Sequence, residues 1–128
     1  MPVRIITRVA QGEPVPVNPD WEFVGCPIHE DDMAEHLEAF FDGAAFGGTV
    51  TNWGGDDAVS VEQLVPWVAR QLGVSFSFTD MEQIIAYPRN LDPTRRNSLT
   101  GPCKVKWQEG FRRIIAERFP GRLVQAGE

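Results

Sequence analysis

Between residues 30 and 42, Met33, Leu37, Phe40 and Phe41 stand at i, i+4, i+7 and i+8, the spacing that lays one apolar stripe along a helix. Glu30, Asp31 and Asp32 fall in the first turn of that helix, where the macrodipole favours negative charge, and Gly43 supplies a stop. A second helix opens at Ser60-Val-Glu-Gln63, a capping-box pattern, and carries Val61, Leu64, Val65, Val68 and Leu72 inward until Gly73. Pro66 lies inside this pattern and predicts a kink or a later start. Thr79-Asp-Met-Glu82 repeats the capping pattern and predicts a short helix that Pro88 ends. The last helix spans Gln108–Phe119, with Phe111, Ile114, Ile115 and Phe119 inward and Pro120-Gly121 as its stop.

Other segments read as strands. Val3–Val9 is rich in β-branched residues, with Arg4 and Arg8 on one face. Trp21–Gly25 and a short piece within Gly47–Asn52 are further candidates. Val74, Phe76 and Phe78 alternate with Ser75 and Ser77, and Lys104–Trp107 alternates basic with apolar residues. Residues 11–20 hold three prolines and predict a loop or extended arm. Residues 88–102 predict a long basic loop in which Asp92-Pro93 caps one or two helical turns. Helices and strands alternate without a strict βαβ rhythm. The expectation is an α+β fold in a single compact domain over 1–128, with a strand-rich segment at 1–29 and three to four helices on a small mixed or antiparallel sheet.

The chain has 128 residues, 42% of them apolar and thirteen aromatic, which argues against disorder. Charge then divides it. Residues 1–65 carry twelve carboxylates against two arginines, whereas residues 66–128 carry ten basic side chains against six acidic ones. The net charge of −6 argues against whole-surface binding to nucleic acid or to an anionic membrane. No apolar run approaches a membrane span, no secretory signal is visible, and the two cysteines read as free thiols. These features together predict a cytoplasmic protein.

Candidate chemistry is sparse. Cys26-Pro-Ile-His29 has a two-residue spacer suited to a metal, and His36 and Cys103 could complete a Cys2His2 zinc tetrahedron. Only one short ligand pair exists, however, where zinc signatures ordinarily have two. Gly55-Asp56-Asp57 could hold Mg²⁺ but reads better as a turn into the helix cap. The chain has no Gly-x-Ser-x-Gly elbow, no Gly-x4-Gly-Lys-Ser/Thr loop and no His-Glu-x-x-His. A helix-turn-helix does not fit either, because the Gly-Val-Ser-Phe-Ser-Phe linker is too long and strand-like.

Charge therefore carries the functional expectation. Asp31, Asp32, Glu35 and Glu38 form an acidic helix face, and Arg95, Arg96, Lys104 and Lys106 form a basic region. A helix with spaced carboxylates can substitute for phosphates at a basic protein site, a strategy of small phage inhibitors. The sequence thus predicts a non-catalytic acidic inhibitor or accessory protein, with no cofactor, whose partner is a protein with a basic surface. Two alternatives stand beside it: a self-assembling structural protein whose acidic and basic surfaces meet head to tail, and a small zinc-stabilised or metal-dependent module.

Overall fold

The computed structural model describes residues 2–82 and 89–124. Its elements run α1 (Pro2–Gln11), β1 (Val15–Val17), β2 (Val24–Gly25), α2 (Glu30–Asp42), β3 (Val59–Ser60), α3 (Val61–Leu72), β4 (Phe78–Asp80), α4 (Thr94–Thr100) and α5 (Trp107–Arg118). The fold is α+β, with five helices and two two-stranded sheets among the described residues. One sheet pairs β1 with β4 in parallel; the other pairs β2 with β3 antiparallel.

The core forms where α3 meets α1. Val61, Leu64, Val65, Val68, Ala69 and Leu72 are buried along α3, opposite Ile6, Val9 and Ala10 of α1, and Val15 of β1, Val59 of β3, and Phe111 and Ile115 of α5 complete the cluster. Helix α3 starts at its predicted cap. The Gln63 N–H donates to Ser60 Oγ at 3.2 Å, and the Gln63 side chain accepts the Ser60 N–H at 3.0 Å. Gly73, at φ 63°, takes the left-handed turn that ends the helix. Pro66 lies within α3 without splitting it.

Several elements differ from the sequence expectation. Val3–Val9 is helical, not extended. Pro2 occupies the first helical position, Gly12 closes the helix at φ 73°, and burial of Ile6, Val9 and Ala10 against α3 outweighs β-branched propensity. The proline-rich loop contains β1. The predicted strand at 21–25 shortens to Val24–Gly25, and the one at 74–78 moves to Phe78–Asp80, so Thr79 lies in a strand instead of capping a helix. Residues 83–88 of that predicted helix lie outside the described residues. Residues 47–52 and 104–106 form no strand. The basic loop folds in part as α4, preceded by Asp92, whose side chain accepts the Thr94 N–H at 2.9 Å.

The largest reversal concerns α2. The sequence pattern turns its apolar stripe inward, yet Met33, Leu37 and Phe41 are exposed, and the buried side chains are Asp32 and His36.

Candidate functional site

Burial of Asp32 and His36 follows from what they bind. Asp32 accepts the backbone N–H groups of Lys104 at 2.8 Å and Val105 at 3.1 Å. On the same face, His36 Nδ1 accepts the Trp53 indole N–H at 3.3 Å. Next to them lies Arg96, fully buried, donating to Thr100 Oγ1 and the Gly101 carbonyl at 3.0 Å each and paired with Asp56. Asp56 also accepts the Cys103 N–H at 2.8 Å. Three segments distant in sequence are thus tied together: α2, the 53–57 turn, and α4 with the 101–105 loop that follows it.

The ligand atoms of Asp32, His36 and Cys103 lie within 4.8 Å of one another. Their chemistry is nevertheless that of a latch. Both Asp32 oxygens serve backbone N–H groups, and a buried guanidinium stands beside the triad, where it opposes any added cation. Burial, then Arg96, lowers the pKa of His36 and so favours its neutral form; burial raises the pKa of Cys103 and keeps it a thiol. The predicted zinc tetrahedron is not assembled. Cys26 Sγ accepts the Leu91 N–H at 3.3 Å, and His29 caps α2 by accepting the Asp31 N–H at 3.1 Å, so these two residues serve other parts of the fold.

The expected binding faces are also dispersed. Asp32 and Arg96 are buried. Asp31 pairs with Arg113 at 2.8 Å and Glu35 with Lys104 at 2.5 Å, so basic residues of the C-terminal half neutralise the acidic helix from within. Glu38, Arg95 and Lys106 remain exposed.

Two adjoining concave surfaces lie along α1. A cavity of about 230 Å³ runs between α1 and the β2–β3 sheet, lined by Ile5, Phe23, Cys26, Val61 and Phe111 among others. A second, of about 170 Å³, lies between α1 and β1 and is lined by Arg4, Arg8, Pro16, Val17 and Met81. Ile5, Phe23 and Val61 border both, so the two form one crease with a shared apolar floor.

Backbone pairing shapes the rim of this crease. Val15 donates to the Ser77 carbonyl and Val17 accepts from Met81, each at 2.9 Å, so Val15 and Val17 turn their polar groups towards β4. Strand alternation then turns the Pro16 carbonyl to the open edge, where the missing N–H of proline costs nothing. Arg8 donates to the Pro14 carbonyl at 3.0 Å. At the far wall the chain is tightly stacked. Gly55 donates to the Cys26 carbonyl at 3.0 Å, and a Cβ on Gly55 would overlap the Pro27 carbonyl. Sequence reasoning missed this site. The one usable signal was Arg4 and Arg8 on a common face, which also holds at the i, i+4 spacing of a helix.

No protein-family model and no curated protein matches the chain. Solved structures do. A UDP-glucuronic acid 4-epimerase from Bacillus cereus, in complex with UDP-glucuronic acid and NAD, superposes with a TM-score of 0.71 at 17% identity, over 88% of this chain and 37% of that one. The UDP-glucose 4-epimerase of Thermus thermophilus, in complex with NAD, gives 0.65 at 21% identity, over 95% and 40%. A dTDP-glucose 4,6-dehydratase from Bacillus anthracis, in complex with NAD, gives 0.63 at 16% identity, over 91% and 38%. The chain therefore shares its fold with about two fifths of each of these enzymes.

This likeness corrects the functional expectation. A fold that recurs within NAD-containing sugar-nucleotide epimerases and dehydratases overturns the non-catalytic inhibitor, its structural and zinc-module alternatives, and the expectation of no cofactor. The described residues alone do not fit a dinucleotide. The sequence contains no Gly-x-Gly-x-x-Gly, and the strands, two or three residues long, build no βαβ unit among the described residues. Among these residues, no helix is long and apolar enough to cross a membrane.

Proposed function

We propose that this chain is the sugar-nucleotide-binding part of a cytoplasmic NAD-dependent enzyme that modifies the sugar of a pyrimidine nucleoside diphosphate sugar, as an epimerase or a dehydratase. The crease along α1 carries this reading, because its apolar floor ends at two arginines. A pyrimidine ring needs a flat apolar wall and an edge with hydrogen-bonding capacity. Phe23 and Ile5 offer the wall, and the Pro16 carbonyl offers an acceptor for a ring N–H. The diphosphate carries the negative charge that Arg4 and Arg8 complement. The ligands of the structural neighbours, UDP-glucuronic acid and UDP-glucose among them, have this combination of flat ring, diphosphate and sugar.

NAD supplies hydride transfer in an enzyme of this kind. This chain's contribution is to bind and orient the sugar nucleotide and to keep water from the apolar floor. The test is a calorimetric or NMR titration of the chain with UDP-glucuronic acid, UDP-glucose and dTDP-glucose, using ATP as control. Saturable binding of the pyrimidine nucleotides is expected with Kd of about 0.1–1 mM, since only part of the site is present. Phe23→Ala, and the pair Arg4→Glu with Arg8→Glu, should each weaken it at least about tenfold, a loss of roughly 1.4 kcal/mol. No saturation by about 10 mM, or equal affinity in these variants, refutes the assignment.

A further inference from the structure

Helix α2 leaves one apolar face only partly covered by the described residues. Met33, Leu37 and Phe41 recur every four residues and are 37%, 45% and 76% exposed. The chain then turns through Gly47 and Gly48 into Thr49-Val50-Thr51, a β-branched run in which Val50 is 80% exposed. Residues 49–54 make no backbone–backbone hydrogen bond with any described residue. A β-branched run without a ladder, joined to a helix with an open apolar face, is half of a parallel-sheet unit. The lengths agree. The 13 residues of α2 span about 20 Å, close to the roughly 17 Å of a five-residue strand that such a helix would cover.

We propose that α2 and residues 49–53 form an unpaired helix–strand unit that adds to the open edge of the parallel sheet of a dinucleotide-binding portion, with residues 49–53 as its edge strand and α2 covering it. This inference rests on the functional reading above. Two observations select the occupant. The chain accounts for only about two fifths of each structural neighbour, and the neighbours contain NAD, for which the described residues build no cradle. A second copy of the chain fits poorly: Glu30, Glu38 and Asp42 flank the stripe, so two such faces would bring carboxylates together. The matching partner edge carries apolar side chains rimmed by lysine or arginine.

The experiment passes the purified chain over immobilised NAD, alone and after incubation with an extract of the cells that encode it. Alone, the chain should flow through. With extract it should be retained, elute with free NAD, and co-elute with a polypeptide that mass spectrometry shows to contain Gly-x-Gly-x-x-Gly. Amides 49–54 should then exchange at least about tenfold more slowly than in the chain alone. Leu37→Lys with Phe41→Lys, and separately Val50→Pro, should cut retention at least about tenfold. These positions are exposed in the isolated chain, so circular dichroism should show the variants folded. Absence of NAD-dependent retention, equal retention of the variants, co-elution only with polypeptides lacking that motif, or amide protection that rises with concentration of the chain alone would overturn the proposal. UDP-glucuronic acid binding by the same variants separates the two readings. Lost retention with intact nucleotide binding concerns only the docking face, whereas retention without nucleotide binding refutes only the crease.

Discussion

Asp56→Ala should be among the most damaging single substitutions at a partly exposed position of this protein. Arg96 is completely buried, and its ionic partner among the described residues is Asp56. Without that carboxylate the guanidinium keeps two neutral acceptors, Thr100 Oγ1 and the Gly101 carbonyl, and the Cys103 N–H loses its acceptor as well. Breaking a buried pair from one side typically costs about 3–5 kcal/mol, because the remaining charge is neither solvated nor paired. A chain of 128 residues holds about 6–19 kcal/mol in total, at the usual stability per residue. The variant should therefore lose between about a sixth and three quarters of its stability. With an m-value of about 2 kcal/mol/M, its urea midpoint, followed by tryptophan fluorescence, should fall by about 2 M. Arg96→Met removes the charge instead of orphaning it. The double variant should thus be more stable than the sum of the single losses implies, by about 2 kcal/mol or more. A midpoint shift for Asp56→Ala below about 0.5 M, or strict additivity in the double variant, would show that the pair is not the tie the geometry indicates.

Two further outcomes follow from the same latch and from the wall of the crease. The pKa of His36 lies below its ordinary value, chiefly through burial and secondarily through Arg96, so the unfolded chain takes up a proton more readily than the folded one. The stability this neutral histidine contributes is complete above about pH 6.5 and is lost as pH falls through the lower folded value; His36→Gln should flatten urea midpoints measured across that range. Gly55→Ala forces a Cβ into the Pro27 carbonyl and should cost about 1–3 kcal/mol or more, whereas Gly25→Ala, with open space around its Cβ, should cost far less in thermal unfolding.

What could be read from the sequence was what is decided locally. The cap of α3 needs only Ser60 and Gln63, three residues apart, and both of its hydrogen bonds form. The first segment was ambiguous because its period was. Val3, Ile5, Thr7 and Val9 alternate as in a strand, while Ile6, Val9 and Ala10 repeat as in a helix, and only packing on α3 decides between them. The latch was illegible for a different reason. Arg96 finds Asp56 forty residues away, and Asp32 finds the Lys104 N–H seventy-two away. No pattern within a window reports such pairs, although the same residues were visible as charges.

Helix α2 shows why amphipathicity can mislead about burial while remaining right about energetics. An apolar stripe states that a face needs a partner, not that the partner lies within the same chain. Here the polar arc of the helix is buried because backbone N–H groups and an indole saturate it, and the apolar arc is left over. Full burial of a Met, Leu or Phe side chain is worth about 1.5–3 kcal/mol. Met33, Leu37 and Phe41 each retain a third to three quarters of their exposure. Covering them would recover on the order of 2–5 kcal/mol before any strand pairing at residues 49–53. That is no more than about the smallest cost of association, roughly 4 kcal/mol, so docking also needs the strand pairing at residues 49–53. The stripe can therefore stay exposed in a folded chain and still mark the face at which burial has most left to gain.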